Sequence, residues 1–401
     1  MIKKNFFFKD YFLKSNNFKK NKQKTKKVYK SLLNDIKNSK IPLLQSFQND
    51  YQLDFSHDLV KKFSKYKNII IFGMGGSILG TKSIFSFFEK KIKKNIFFFD
   101  NLDVNLIKNY QKIKNLKNSC FIVISKSGNT IETIKNLNLI FKKILFKNKL
   151  IVITEISDST LMNLANKLNA EIIEHKEFIG GRYSVLSETG MFPATLMGLK
   201  VKKFKNLNKL IKNKNFVSAL IENVAGIFTL NQKGINNSVI FSYDSNLNNL
   251  GYWYQQLVGE SLGKKGFGIN PTLSFGPKDH HSLLQLYLDG PRDKFFTFLN
   301  FSEEKNKERI SNEIIPQRMK FMKKNLKFIV SAQCQAVKSV FKSKKIPYRE
   351  INFKYQNEEE LGNIFTFFVI ETILLSRLFK INPFDQPSVE QVKIKTKEIL
   401  T

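Results

Sequence analysis

Four short apolar runs, Ile69–Phe72, Ile96–Phe99, Phe121–Ile124 and Leu150–Ile153, recur in the first half of the chain with amphipathic stretches between them. None alternates apolar with polar residues, as a strand with one wet face would. Continuous runs of Ile, Val and Phe mark strands buried on both faces, and the helical spacing between them supplies crossovers. The pattern predicts a parallel α/β sheet. After a polar, Lys- and Asn-rich break from Lys202 to Asn215, a helical stretch leads to another buried run at Val239–Phe241. Further strand candidates stand at Phe295–Leu299 and Tyr348–Phe353, so a second α/β unit is expected. The most apolar stretch, Ile364–Phe379, contains Glu371 and Arg377 and is too short to span a bilayer, which makes it a buried core helix. A last, Lys-rich helix is expected over Ser388–Leu400, after Pro387.

A chain of 401 residues exceeds the size at which one core keeps growing, so two domains are expected. The division reads as a Lys-rich helical segment over 1–45, a first domain over 46–212, a second over 213–380, and a C-terminal lid and helix over 381–401. The segment Met1–Lys30 lacks the apolar core and cleavage site of a signal peptide and reads as a surface helix or mobile arm.

Charge changes this picture less than its size suggests. The formal net charge is +34, yet nearly all of it is Lys, with six arginines in the chain. Scattered Lys beside abundant Asn, Ile and Phe points to solvated faces rather than to a nucleic-acid surface, which would use Arg for bidentate base readout. Neither nucleic acid nor membrane is expected as a partner, while anionic substrates are attracted. Cys120 and Cys334 sit in apolar or helical contexts without metal-ligand spacing, which fits a reduced, cytoplasmic compartment.

Chemistry gathers at strand ends. The first strand runs into Gly73-Met74-Gly75-Gly76-Ser77, where glycines permit close backbone approach and the following helix start offers unpaired N–H groups. That segment serves a tight turn as readily as an anion site, and its spacing fits neither a dinucleotide nor a nucleoside triphosphate motif. The third strand ends in Ser125-Lys126-Ser127-Gly128-Asn129-Thr130, whose hydroxyls and amides can receive several phosphate oxygens where an ordinary helix cap needs one. Arg182 follows Gly180-Gly181, free to reach into a site with a fixed charge. Glu260, at the end of a helical stretch beside Gly259, suits a general base; His280 and His281 read as structural, metal-binding or catalytic alike. No cluster supports a metal site.

Six ordered blocks then acquire a joint meaning: Gly-x-Gly-Gly-Ser at 73–77, Ser-Lys-Ser-Gly-Asn-Thr-x-Glu-Thr at 125–133, Gly-Gly-Arg-Tyr-Ser at 180–184, Gly-Glu-Ser at 259–261, His-Ser at 281–282 and Phe-Asp-Gln-x-x-Val-Glu-x-x-Lys at 384–393. Together they resemble the glucose-6-phosphate isomerase family, over residue 70 to the end. The resemblance implies two sugar-isomerase (SIS) domains, each a three-layer αβα sandwich with a parallel sheet, and a C-terminal helical tail. It implies a homodimer whose active sites draw on both subunits, no cofactor or metal, and reversible isomerisation of glucose 6-phosphate and fructose 6-phosphate, a step of glycolysis and gluconeogenesis. Carried over by position, phosphate and substrate contacts fall on Gly76, Ser77, Ser125, Lys126 (backbone), Ser127, Thr130, Gln256 and Gln386. Glu260 becomes the base between C1 and C2, Arg182 the stabiliser of the cis-enediol(ate), and His281 and Lys393 the groups that assist ring opening.

Three departures stand out: Leu262 where the family usually has Asn, Pro387-Ser388 where Trp-Gly is usual, and Glu188 where a small residue is common. Leu262 and Pro387 are expected to alter the rim of the site. The competing readings are an isomerase that also accepts mannose 6-phosphate, and a non-catalytic SIS module that senses sugar phosphate; the latter would need the hydroxyl pocket but not Glu260, Arg182, His281 and Lys393.

Overall fold

A computed structural model describes Tyr11 and residues 15–111, 113–140, 147–301 and 324–400. Its frame is two parallel sheets. The first contains β1 (Asn68–Phe72), β2 (Asn95–Phe99), β3 (Ser119–Ile124), β4 (Leu150–Thr154) and β5 (Glu171–Glu174) in the order β2-β1-β3-β4-β5. The second contains β6 (Asn237–Ser242), β7 (Asn270–Phe275), β8 (Lys294–Phe301) and β9 (Tyr348–Phe353) in the order β7-β6-β8-β9. All strand pairs in both are parallel.

The unbroken apolar runs have the expected cause. Successive side chains of a strand point to opposite faces. Ile69, Ile71, Cys120, Ile122, Ile151 and Ile153 enter a core on one face of the first sheet, while Ile70, Phe72, Phe121, Val123, Leu150 and Val152 enter another on the opposite face. The second sheet repeats this, with Val239, Phe241, Phe296 and Phe298 on one side and Ile240, Phe295, Leu299, Ile351 and Phe353 on the other. Each sheet is therefore the middle layer of an αβα sandwich.

Two strands escape the apolar pattern, and both are edges. β5 is four residues long and carries half-buried Glu171 and Glu174 at its ends; β7 contains Pro271, which an edge strand tolerates because one side of its backbone has no partner strand.

The apolar stretch near the C-terminus is the helix Glu358–Phe379, buried along most of its length. It is the one helix among the described residues long and apolar enough to cross a membrane, and here it forms the interior of the protein. Its Glu371 meets Arg349 of β9 in a bidentate pair (2.5 and 3.0 Å), and Arg349 also donates to Thr297 and Asn223. Both charged groups are 1% exposed, so each is tolerated only because the other is present.

The N-terminal helix Asn16–Lys37 is no mobile arm. Ser15 caps it, and Phe18, Asn21, Thr25, Tyr29 and Leu32 form a buried stripe at helical spacing. That stripe lies against the helix Lys214–Asn231: Asn21 donates to Thr229 and Gln232, Lys22 pairs with Glu222, and the Tyr29 hydroxyl donates to the Ile211 carbonyl. Asp35 pairs with Arg377 of the core helix at 2.6 Å. The segment thus packs on the second half of the chain, and residues 1–10 and 12–14 lie outside the described ones. The final helix runs Pro387–Leu400, with Pro387 in its first turn and no buried residue.

Candidate active site

In the first sheet the connections leave β1 toward one side and β3 toward the other, so the loops after these two neighbouring strands part at their carboxyl ends and open a crevice. After β1, Gly75 takes φ +52 and Gly76 and Ser77 form a short 3-10 turn before the helix Leu79–Phe88. Gly76 touches another loop: a Cβ there would lie 2.1 Å from the Gly181 carbonyl carbon. After β3, the Ser125 and Thr130 hydroxyls lie 2.9 Å apart, Ser127 is exposed, and Gly128 at φ +63 turns the chain tightly against Ser159. Asn129 locks this loop by accepting from both the amide and the hydroxyl of Thr160. The Lys126 ammonium donates to the Glu177 carbonyl and sits 3.4 Å from Glu155, so its side chain is engaged outside the hydroxyl cluster.

Across from these loops stands the end of the helix Asn248–Leu262, which packs against the helix Leu79–Phe88 of the first half. It carries Gln256 and Glu260 on one face, one turn apart. Gln256 Nε2 donates to Glu260 Oε1 at 3.0 Å and fills the space that a side chain at Gly75 would need. The Gln256 Oε1 is buried and has no partner among the described residues.

Arg182 ties the two halves together. It lies in the 3-10 turn Gly181–Leu186 and is 3% exposed. Its guanidinium has five N–H donors in a rigid fork, and five contacts use them. Nε donates to Ser261 Oγ (2.8 Å); Nη1 donates to Glu260 Oε2 (3.1 Å) and Gln386 Oε1 (2.8 Å); Nη2 donates to the carbonyls of Pro383 (2.5 Å) and Asp385 (3.1 Å). Tyr183 joins the same knot, its hydroxyl donating to the Pro383 carbonyl and lying 2.8 Å from Ser261 Oγ. The result is a carboxylate, about a third exposed, held beside a buried fixed cation. Such a pair can move a carbon-bound proton and stabilise the oxyanion that forms.

The structure therefore gathers Arg182, Glu260, Gln256 and Gln386 by direct contact, with Gly76 against the Gly181–Arg182 backbone. Ser125 and Thr130 meet in their own loop beside the strand that leads to Ser77. His281 and Lys393 are not brought in. His281 is exposed on the turn Lys278–His281, and no hydrogen bond joins it to Glu260 or Arg182. Its neighbour His280 is bonded to the Tyr243 hydroxyl at 2.6 Å. Lys393 is exposed on the terminal helix and paired with Glu390.

Leu262 corrects an expectation: it is fully buried in the core and forms no part of the rim, because it falls on the inner face of its helix. Pro387, by contrast, is exposed directly after Gln386. Glu188 is also buried, accepting from the Tyr51 hydroxyl and the Asp54 amide; burial raises its pKa. Nearby Lys205 lies 4.4 Å over the Tyr51 ring, and burial pushes its pKa down to about 7. Sequence reasoning assigned no role to Ser261, Tyr183, Asn129 or Lys264. Three of these stand inside the recognised blocks and Lys264 three residues after one, but only contacts across the fold reveal what they hold. Among the described residues no three His, Cys, Asp or Glu side chains converge as a metal site would require.

Two parallel-sheet domains meeting over a carboxylate and a buried guanidinium fit one class, an aldose–ketose isomerase built on the sugar-isomerase fold, and the relatives of the chain show it. The family model described as phosphoglucose isomerase matches residues 53–273. The glucose-6-phosphate isomerase of Methanocaldococcus jannaschii is 34% identical over 90% of this chain and 92% of its own length, and that of Campylobacter jejuni is 30% identical over 96% and 98%. The chain belongs to the phosphoglucose isomerase family. Its fold is also that of a hypothetical protein from Thermus thermophilus (TM-score 0.87, 20% identity, all of both chains covered). A glucose-6-phosphate isomerase from Chlamydia trachomatis shares it too (TM-score 0.73, 19% identity, 86% of this chain and 71% of that one).

Proposed function

We propose that this protein interconverts glucose 6-phosphate and fructose 6-phosphate, with Glu260 as the base that carries a proton between C2 and C1. The observation that carries the reading is the contact between Glu260 and Arg182 at 3.1 Å, made across the seam between the two halves with Gly76 of the loop after β1 against the Gly181–Arg182 backbone. The phosphate is received by the hydroxyls of Ser77, Ser125, Ser127 and Thr130 and the Lys126 amide, where helix starts favour an anion. With the phosphate anchored there, the open-chain sugar extends toward Glu260. The carboxylate takes the C2 proton of the aldose, the electron pair moves onto the C1 carbonyl oxygen, and the cis-enediolate oxygen falls beside Arg182. Return of the proton to C1, with transfer of the C2 hydroxyl proton to the C1 oxygen, gives the ketose. No electron leaves the substrate, so the balance needs no oxidant or reductant.

Gln256 and Gln386 hold the remaining sugar hydroxyls. His281 and Lys393 assist ring opening, and the exposed position of His281 supports a homodimer in which that residue serves the partner's site. A cytoplasmic enzyme of glycolysis and gluconeogenesis is the setting this chemistry fits.

The test is a coupled assay: purified protein, fructose 6-phosphate and EDTA, with glucose 6-phosphate detected as it forms. Turnover is expected. Tight sugar-phosphate binding without turnover would replace the isomerase with a sensor built on the same pocket.

A further inference from the structure

We propose that Lys264 is a positioning residue for the isomerase, acting through the turn that leads into the C-terminal helix; the inference rests on the functional reading above. An ammonium has three N–H donors, and all three of Lys264 are used on that turn. Nζ donates to the Asn382 carbonyl at 2.5 Å, the Asp385 carbonyl at 2.6 Å and Asp385 Oδ1 at 2.7 Å. The Lys264 side chain is 11% exposed and that of Asp385 51%, and all three bonds are charge-assisted, the stronger kind of hydrogen bond.

What the clamp holds is what the site needs. The turn 382–386 presents Gln386 Oε1 and the Pro383 and Asp385 carbonyls, which occupy three of the five Arg182 donors. The Asp385 carbonyl is shared by Lys264 and Arg182, so movement of the turn is passed to the guanidinium directly. Within the turn, Asn382 donates to Asp385 Oδ2 and accepts from the Phe384 amide, so the segment moves as one piece.

Lys264 is itself rigidly based. Its amide and carbonyl both pair with Phe267 across a two-residue turn, with Lys265 at φ +54 and Gly266 at φ +74, the left-handed pair that closes a tight hairpin. The Phe267 ring stacks on Phe379 of the core helix. Because Lys264 lies four residues after Glu260, just past the end of the same helix, one platform sets both the base and the turn that orients its cation.

The experiment compares wild type, Lys264→Met, Lys264→Arg, Gln386→Leu and the Lys264→Met/Gln386→Leu double variant, reading kcat and KM for fructose 6-phosphate, Tm, and competition by a non-isomerisable sugar-alcohol phosphate. Lys264→Met should lower kcat roughly 10- to 100-fold, the scale of a misplaced catalytic group, with KM and competitor binding within about threefold. Lys264→Arg, which keeps the charge and several donors, should recover most of that loss. If Lys264 acts through the turn, the loss in the double variant should be clearly smaller than the product of the two single losses, because coupled sites are not additive.

Wild-type kcat in Lys264→Met, or multiplicative losses in the double variant, would overturn the proposal. A wild-type protein without turnover would instead sink the functional reading. Should Lys264→Met not melt cooperatively, Asp385→Asn weakens the side-chain contacts of residue 385 with Lys264 and Asn382 and leaves the carbonyl arms of the clamp in place. A drop in its kcat at constant KM sustains the proposal, and an unchanged kcat refutes it.

Discussion

Glu260→Gln separates chemistry from binding unusually well, because the surroundings of Glu260 accommodate the exchange. The carboxylate accepts from Arg182 through Oε2 and from Gln256 through Oε1. A glutamine at 260 keeps its oxygen toward Arg182 and turns its NH2 toward Gln256, which would set two donors face to face. Gln256 relieves this by rotating its amide, since its Oε1 is buried and has no partner to lose. The hydrogen bonds are thus conserved in number, and Tm should stay within a few degrees of wild type. What disappears is the acceptor for a carbon-bound proton. General-base catalysis contributes roughly 10²–10⁴-fold, or about 3–5 kcal/mol of barrier, and kcat should fall by at least that factor. Exchange of the C2 proton with deuterated solvent should vanish in parallel, while competition by a sugar-alcohol phosphate stays close to wild type. Turnover within tenfold of wild type would refute the assignment of the base. An equal collapse of binding and rate would refute the claim that the pocket survives.

Two further outcomes follow from the packing. Gly76→Ala puts a methyl 2.1 Å from the Gly181 backbone, which cannot yield as a side chain would, whereas a Cβ at Gly181 meets its nearest neighbour at 3.8 Å. Gly76→Ala should cost on the order of 10²-fold in kcat/KM, with Gly181→Ala near wild type in the same assay. His175 is 1% exposed, and burial pushes its pKa down from 6.5 to about 4. Between these values the unfolded chain binds the proton that the folded chain refuses, so stability rises with pH across this window and is lost as pH falls from about 6.5 to 4. The full difference is about 3 kcal/mol by proton linkage. Urea midpoints should drop over that range, and His175→Gln should flatten the drop; an unchanged slope in the variant would exclude His175 as its source.

The sheets were legible because burial on both faces writes itself as unbroken Ile, Val and Phe. Edge strands β5 and β7 were not, since their burial is one-sided and their residues polar or Pro-interrupted. The loops after β1 and β3 and Arg182 could be singled out by residue type at strand ends and after paired glycines. Lys264 could not, because nothing in a Lys-rich composition distinguishes one ammonium from the others until the turn 382–385 folds over it. The packing of Leu262 shows the converse: a polar-to-apolar departure beside Glu260 and Ser261 suggested a changed rim, yet the helix periodicity turns that position into the core. The one-chain contacts of His281 and Lys393 likewise follow from placement that residue order does not encode.

The N-terminal helix carries a consequence for how the chain is made. It closes against partners synthesised much later: Asn21 on Thr229, 208 residues on, and Asp35 on Arg377, 342 residues on. At roughly 5–20 residues per second, the helix waits about 10–40 s for the first contact and about 20–70 s for the second, with Phe18, Tyr29 and Leu32 uncovered meanwhile. The opposite face carries exposed Lys19, Lys20, Lys24, Lys26, Lys27 and Lys30, a like-charge surface that disfavours self-association of the uncovered stripe. An element made long before its partners is thus seated only after both halves of the chain exist, a delay that leaves no other trace in the finished fold.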